Sequence, residues 1–579
     1  MLRFGPRFAK ASSIVGATGW GMLAFLNTSP YSETDLINKI LLLGVLVIVP
    51  LGLSLVQTPD RKGRDGLPYR AAVGAQPVGA IAALISFYVQ PGLTAALFAS
   101  IWLIVTLLIA VFAVWRLLPR GFQPIDEISI DAGLVFLPIG GVWFTMSRLG
   151  LQPLGFGDTI VLLTAVHFHF AGFAAPILAG LAARVIHHEA FPQKILRASI
   201  VSIIIGVPLV AAGISASPLL ALIGSSGISL GLMLLAVVVL GWVRPSLSSV
   251  PAKTLLFVSS LSGASAMTLA SIYAYSIVVK KLIIDIPQMA MTHGIANAFG
   301  FALCGLIAWS IAKPISRASR PGIPFSKLSA GRFAGSNYFH RVGAVSRSKP
   351  EVSGLVDDLS IYRRADFDLT SVHPAVRSFY ENTFRYRMIV RPSWRTGFGF
   401  GGRIANWIGT KLGQMRLPVS AERLEDRIES KLFPLDDAMD GRTGVRAWVR
   451  TYEGTDAAMY VAAYATHSLF GNTYMNIAFP LSGGNISSIL HLTALSEPRG
   501  GISLSTWPSA YSGGDQGVYF ANKLIPVRLP MNEVISVWAV GEIGNAESDV
   551  TKPVVKAIHR MWLCGIKFLE LAYDIYPID

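Results

Sequence analysis

Three histidines stand inside apolar stretches of this chain. His167 and His169 lie in IVLLTAVHFHFAG (160–172), and His293 lies in HGIANAFG (293–300), four residues before Asn297. A polar side chain at membrane depth is rare and turns towards the bundle interior or a cavity. Imidazole nitrogens bind haem axially, hold a metal or pass protons, and each of these needs a partner on a second element. His167 and His169 are two positions apart and point about 200° away from each other on a helix, so they do not share one ion unless the helix breaks. Gly172 and Pro176 supply at most a kink. His293 and Asn297 share a helix face. If the helix of His167 begins near Asp158, His167 lies about 12 Å below its outer end. That depth allows a His167–His293 pair across two helices. Asp158, like Asp131, is then an orienting partner or an end charge. The competing structural role is a hydrogen bond from each imidazole to a backbone carbonyl of a neighbouring helix.

Other spacings carry less chemistry. His187-His188-Glu189 lacks a third ligand at helical spacing and reads as a solvated loop, and no HExxH is present. Gly227-Ile228-Ser229-Leu230-Gly231 matches the hydrolase elbow, but it sits within an apolar span where small residues let helices approach. Gly397–Gly402 matches G-x-G-x-x-G. The stretch before it carries Arg385, Arg387, Arg391 and Arg395, unlike the buried apolar strand of a dinucleotide fold. That arginine group, with Trp394, is placed to meet anionic lipid headgroups. No metal site is expected, and no P-loop or CxxC occurs.

These residues need elements to hold them. Of 579 residues, 52% are hydrophobic and only 14% charged, against about 25% charged in soluble chains. With a mean hydropathy of +0.52 in long runs, the chain reads as a membrane protein. Two cysteines exclude a disulfide framework. The net charge of +15 does not point to nucleic acid: residues 1–320 hold 21 basic and 10 acidic side chains, so most of the excess lies in the apolar half. Ten spans are expected, near 13–27, 38–57, 72–90, 93–117, 130–148, 159–183, 197–214, 219–242, 254–278 and 292–312, the first being the weakest. Basic clusters recur at alternate ends, among them Arg61-Lys62-Arg64, Arg116 with Arg120, and Arg244 with Lys253. The positive-inside rule then places both termini in the cytoplasm, with the protein in the cell membrane.

Residues 316–350 read as a linker and 351–579 as a cytoplasmic α+β domain, with 1–315 forming the all-α transmembrane bundle. The last part contains alternating stretches separated by Gly483-Gly484, Gly500-Gly501 and Gly513-Gly514, which predict an antiparallel sheet. Pro374–Arg387 is helix-like, and residues 552–573 read as one long C-terminal amphipathic helix.

The membrane half resembles the YndJ-like family of bacterial membrane proteins. The likeness is carried by KILLLGVLVIVPLGL (39–53), PLGFGD (153–158), IVLLTAVHFHFAG (160–172) and HGIANAFG (293–300). It implies a multi-pass bacterial membrane protein and supplies no reaction and no cofactor. Three functions remain open. The first is a protein that binds or handles a lipophilic small molecule through the bundle and the sheet domain. The second is a membrane haem or metal redox protein using the histidines. The third is a small-solute transporter, for which Gly206-Val207-Pro208 is the best candidate helix break.

Overall fold

The computed structural model describes residues 4–26, 33–59, 63–186, 190–315, 322–417, 426–469, 471–508, 514–540 and 552–578. The chain divides into two compact units, Met1–Arg320 and Pro321–Asp579.

The first unit is helical. Helix α1 (Pro6–Leu26) is followed by α2 (Asp35–Leu55), α3 (Leu67–Phe87), α4 (Leu93–Arg120), α5 (Ile125–Leu149), α6 (Asp158–Val185), α7 (Phe191–Ala216), α8 (Pro218–Ser246), α9 (Val250–Val278) and α10 (Ile286–Ala312). Among the described residues, nine of these, α2 to α10, are long and apolar enough to cross a membrane. Helix α1 packs along α2 and its 21 residues measure about 31 Å, close to the hydrocarbon thickness. Arg7, Lys10 and its Ser and Gly content dilute its hydropathy.

Small residues set the helix spacing. A β-carbon on Gly213 would lie 2.2 Å from the Ala221 nitrogen, and one on Gly224 would lie 2.6 Å from the Val210 nitrogen, so α7 and α8 touch backbone to backbone. Four of the helices widen locally to i→i+5 bonding, at Gly44–Ile48, Phe168–Ala174, Val239–Val243, Ala290–Gly294 and Ala296–Leu303. Side chains from neighbouring helices bond the carbonyls of these turns: Gln76 Nε2 donates to Val45 O at 3.2 Å and Ser259 Oγ to Phe301 O at 2.8 Å.

A charge cluster locks one end of the bundle. Arg116 and Arg120 close α4, Glu127 and Asp131 open α5, and Arg184 ends α6. Arg184 Nε donates to Glu127 at 2.8 Å, Arg116 also donates to Glu127, and Arg120 donates to Asp131. Asp131, one of the two carboxylates considered as a partner for the histidines, is thus engaged in this cluster.

The second unit is a closed antiparallel barrel. Strands β1 (Tyr386–Trp394), β2 (Asp426–Pro434), β3 (Arg446–Tyr452), β4 (Ala458–Leu469), β5 (Asn472–Leu481), β6 (Gly484–Ala494), β7 (Ile502–Ser505), β8 (Gly517–Ala521), β9 (Val527–Arg528), β10 (Met531–Ala539), β11 (Val555–Leu563) and β12 (Ile566–Pro577) form one sheet. Its order runs β5-β4-β3-β2-β1-β12-β11-β10-β7-β6, and the β5–β6 pairing closes the ring, with β8 and β9 attached beside β6. Alternation decides what points inward: Met388 and Val390 on β1, Met475 and Ile477 on β5, Leu571, Tyr573 and Ile575 on β12. One end is plugged by residues 355–380. Their Leu359, Tyr362, Phe379 and Tyr380 enter the barrel core, and Arg446 pins the plug through Asp357 at 2.9 and 3.1 Å. Helix α11 (Pro374–Glu381) belongs to this plug, and helix α12 (Gly399–Leu412) lies at the other end, its Gly402 against Trp394.

Two expectations are corrected. Residues 552–573 are not a helix: within the sheet domain they form the β11–β12 hairpin. Their inward residues follow a period of two, and Cys564 and Gly565, with φ of 50° and 79°, make a two-residue turn between the paired Leu563 and Ile566. Cys-Gly is a weak turn signal, and the apolar residues of this stretch fit both periods. The linker read over 316–350 is also largely part of the barrel unit, since Leu328, Ala330, Tyr338, Phe339 and Ala344 cover the outer face of β3 and β4. Asn485 Nδ2 ties this strap down by donating to Ser326 O at 2.9 Å.

Candidate functional site

The bundle brings the histidines to a junction of widened helices. The turns at Gly44–Ile48, Phe168–Ala174 and Ala296–Leu303 contact one another, and such turns gather at functional sites. His169 is buried there with both nitrogens engaged. Its Nδ1 donates to Ala165 O at 2.8 Å, and its Nε2 accepts from Trp102 Nε1 at 2.9 Å. The space is tight, since β-carbons on Gly44 and Gly140 would meet the His169 side chain at 3.3 and 2.9 Å. His169 is therefore a packed, hydrogen-bonded residue.

His167 and His293 face each other, with ring centroids 6.3 Å apart and planes inclined by 33°. His167 Nδ1 donates to Leu163 O at 2.7 Å, and His293 Nδ1 donates to Ala266 O at 2.8 Å. Both Nε2 atoms are thereby left as acceptors. Asn297 Nδ2 lies 3.2 Å from the His293 Nε2. Asn297 thus fills the His293 acceptor, and the His167 Nε2 is the one placed to accept from a hydroxyl. Asp158 does not join it: it sits exposed at the start of α6, bonded by Gln152 Nε2 at 3.0 Å. Among the described residues no three His, Cys, Asp or Glu side chains converge on a metal position. His187, His188 and Glu189 lie outside the described residues.

The remaining motifs are placed plainly. Ser229 is buried in α8 and bonds Met267 O at 3.0 Å and Ser271 Oγ at 2.8 Å, which joins α8 to α9. The glycine-rich stretch Gly397–Gly402 leads into α12 after an antiparallel strand. Phe398 packs on Phe568, and Phe400 is exposed. The arginine group is dispersed along β1. Arg391 pairs with Asp574 at 2.7 Å, Arg387 lies over Tyr576 and Arg385 over Phe384, while Trp394 packs on Phe568 and only Arg395 adjoins α12.

The second site is the barrel interior, which the sequence did not announce. A cavity of about 70 Å³, room for roughly five waters, is lined by apolar side chains and one polar group of residues. Arg450 of β3 lies 4.0 Å from the ring of Trp448 and 4.4 Å from that of Tyr460. His559 Nε2 is 2.7 Å from a Glu533 carboxylate oxygen. Burial pushes the Glu533 carboxyl up, but the hydrogen bond and charge of His559, the Ser488 hydroxyl and Arg450 outweigh it and hold the carboxyl below its usual range. Burial pushes the Tyr464 and Tyr573 phenols up to about 12, so both are neutral donors. Among the described residues, Arg450 Nε and the Tyr573 hydroxyl are buried without a hydrogen-bond partner. Glu533 and His559 are diagonal neighbours on the paired strands β10 and β11, and closure of the barrel brings Arg450 of β3 into the same cavity. Alternation could have flagged them: each is a charged or titratable residue at an inward position of a strand.

A bundle of apolar spanning helices followed by a closed antiparallel barrel defines a multi-pass membrane protein with a globular β unit. The family model described as YndJ-like protein matches residues 39–301. The chain is also 31% identical over 558 residues to the uncharacterized membrane protein YndJ of Bacillus subtilis (strain 168), covering 94% of this chain and 95% of that protein. The chain therefore belongs to the YndJ-like family, and the likeness runs through the barrel as well as the bundle. No solved structure matches it.

Proposed function

We propose that this protein handles a lipophilic small molecule with an acidic or strongly hydrogen-bond-accepting head, and that the barrel interior receives the head. The observation that carries this reading is the arginine inside the barrel: Arg450 packs on two aromatic rings and, among the described residues, neither its Nε nor the Tyr573 hydroxyl of the same cavity has a hydrogen-bond partner. A buried cation with a donor to spare suits a carboxylate or phosphate oxygen. The rest of the lining, including Met388, Met475, Ile477 and Leu504, suits a hydrocarbon. The cavity is small for a long chain, and the unbranched Met388 and Met475 are the side chains best able to move aside. The test is saturable one-to-one binding of a fluorescent carboxylate amphiphile by the full chain held in amphipol. Displacement by the unlabelled acid supports the reading, and the absence of any saturable site contradicts it.

The bundle would pass or hold the same molecule, with the Nε2 of His167 offering an acceptor to a hydroxyl. The basic clusters support a cytoplasmic-membrane location with both termini and the barrel inside, α1 supplying the tenth crossing. A redox role for the histidines is the weaker reading, because both nitrogens of His169 are engaged and Asn297 occupies the His293 Nε2.

A further inference from the structure

Helix α12 has its large apolar residues on the wrong side for a protein surressounded by water. It rests on the barrel through glycines: Gly402 meets Trp394, and Gly409 meets the backbone of residues 414 and 415. The opposite face exposes Phe400 (74%), Ile404 (43%), Trp407 (57%) and Ile408 (44%). These positions, i, i+4, i+7 and i+8, form one stripe along the helix. Arg395, Arg403 and Lys411 are exposed beside it, Lys411 lying 4.0 Å from the Trp407 ring, and residues 395–412 contain no Asp or Glu.

We propose that this face of α12 docks on an anionic lipid bilayer. An apolar stripe carrying an aromatic residue, with cations as the only charged residues of its own segment 395–412, is the pattern of a helix lying in the headgroup plane. The cations match anionic headgroups in sign, and the indole and phenyl rings match the boundary between headgroups and acyl chains. The chain itself keeps a bilayer within reach, since only residues 313–320 separate the end of α10 from the barrel unit. The proposal goes beyond the amphiphile reading and does not depend on what the barrel holds.

The test uses the full chain in lipid nanodiscs, with Cys304→Ala and Cys564→Ala and a single spin label at Ile404→Cys or Ile408→Cys. Collision with oxygen and with a water-soluble nickel chelate is read in phosphatidylcholine discs and in discs containing phosphatidylglycerol. The expected result is a rise in the oxygen-to-nickel ratio of at least about threefold in the anionic discs. A label at the exposed Glu351→Cys should stay water-like in both. Charge reversal by Arg403→Glu with Lys411→Glu leaves the glycine face untouched and should return the α12 labels to water. Labels open to nickel in both lipids overturn the proposal, as do labels shielded from both agents, which would mean a protein cover. Equal insertion in the two lipids overturns the anionic commitment. Amphiphile binding measured on the same charge-reversed variant separates failure of docking from failure of the barrel site.

Discussion

Arg450 stacks on Trp448, two residues before it on the same strand, with the guanidinium carbon 4.0 Å from the ring centroid inside the barrel. Two inward positions of β3 thus hold a cation and the aromatic surface that orients it. A guanidinium fixed by stacking keeps its N–H edge free for a ligand, whereas one tied up by carboxylates does not. Glu533 takes its hydrogen bonds from His559 and Ser488, and Arg450 acts on it through charge.

These interactions give a pH dependence. A carboxyl held below its usual range contributes stability that is fully present above the unfolded value of 4.5 and is lost as pH falls through the lowered folded value. Glu533→Gln should lower the unfolding midpoint at neutral pH and weaken the acid dependence below about pH 4.5. Near-ultraviolet circular dichroism of the full chain reads both. An acid limb identical to that of the unaltered protein would contradict the assignment.

The buried ion cluster makes a separate prediction for the bundle. Glu127 accepts from both Arg116 and Arg184, so Glu127→Leu takes a carboxylate from two buried cations at once and leaves Arg116 with Asp131 at 3.3 Å. Removing one side of such a cluster costs about 3–5 kcal/mol. Arg184→Leu leaves Glu127 still paired with Arg116 and should cost less. Fluorescence-detected size exclusion after heating should rank the unaltered protein above Arg184→Leu, and Arg184→Leu above Glu127→Leu. The reverse order for the two variants would show that the cluster is not organised around Glu127.

Helix α12 depends on Gly409. A β-carbon there would lie 2.7 Å from the Met415 carbonyl oxygen, a backbone atom that cannot swing away. Gly409→Ala should lift the helix at a cost of about 1–3 kcal/mol and speed proteolysis within residues 396–417. Unchanged cleavage would contradict the dependence of α12 on this contact.

The histidine geometry is open to a direct optical check. With His169 bonded to Trp102 and Asn297 on His293, the purified chain should show no Soret band, oxidised or reduced. A band that shifts on reduction and disappears in His167→Ala and His293→Ala would restore the haem reading.

Much of the bundle was readable because a spanning helix is defined by length and apolarity alone. The junction of His167 and His293 was readable in depth only. The widened turns that form it leave no mark in composition, and the carbonyl partners of each imidazole depend on helix rotation. The barrel was readable as a sheet from its alternation, but a closed ring also needs the first strand, β1, to pair with the last, β12, and no local pattern encodes that. For the same reason Arg450, Glu533 and His559 stayed invisible as a group, and the Cys564-Gly565 turn hid a hairpin inside an apparent helix. The ion cluster was not legible because Arg116 and Arg120 read as loop charges setting topology, and nothing local ties them to Glu127 or Arg184.

The most direct test of the central claim compares the unaltered chain with Arg450→Met, using one carboxylate amphiphile and its methyl ester. The expected result is at least about tenfold weaker binding of the acid by Arg450→Met, about 1.4 kcal/mol, with the ester unchanged. Equal affinity of both proteins for the acid would contradict a head-binding role for Arg450 and, with it, the barrel as the receiving site.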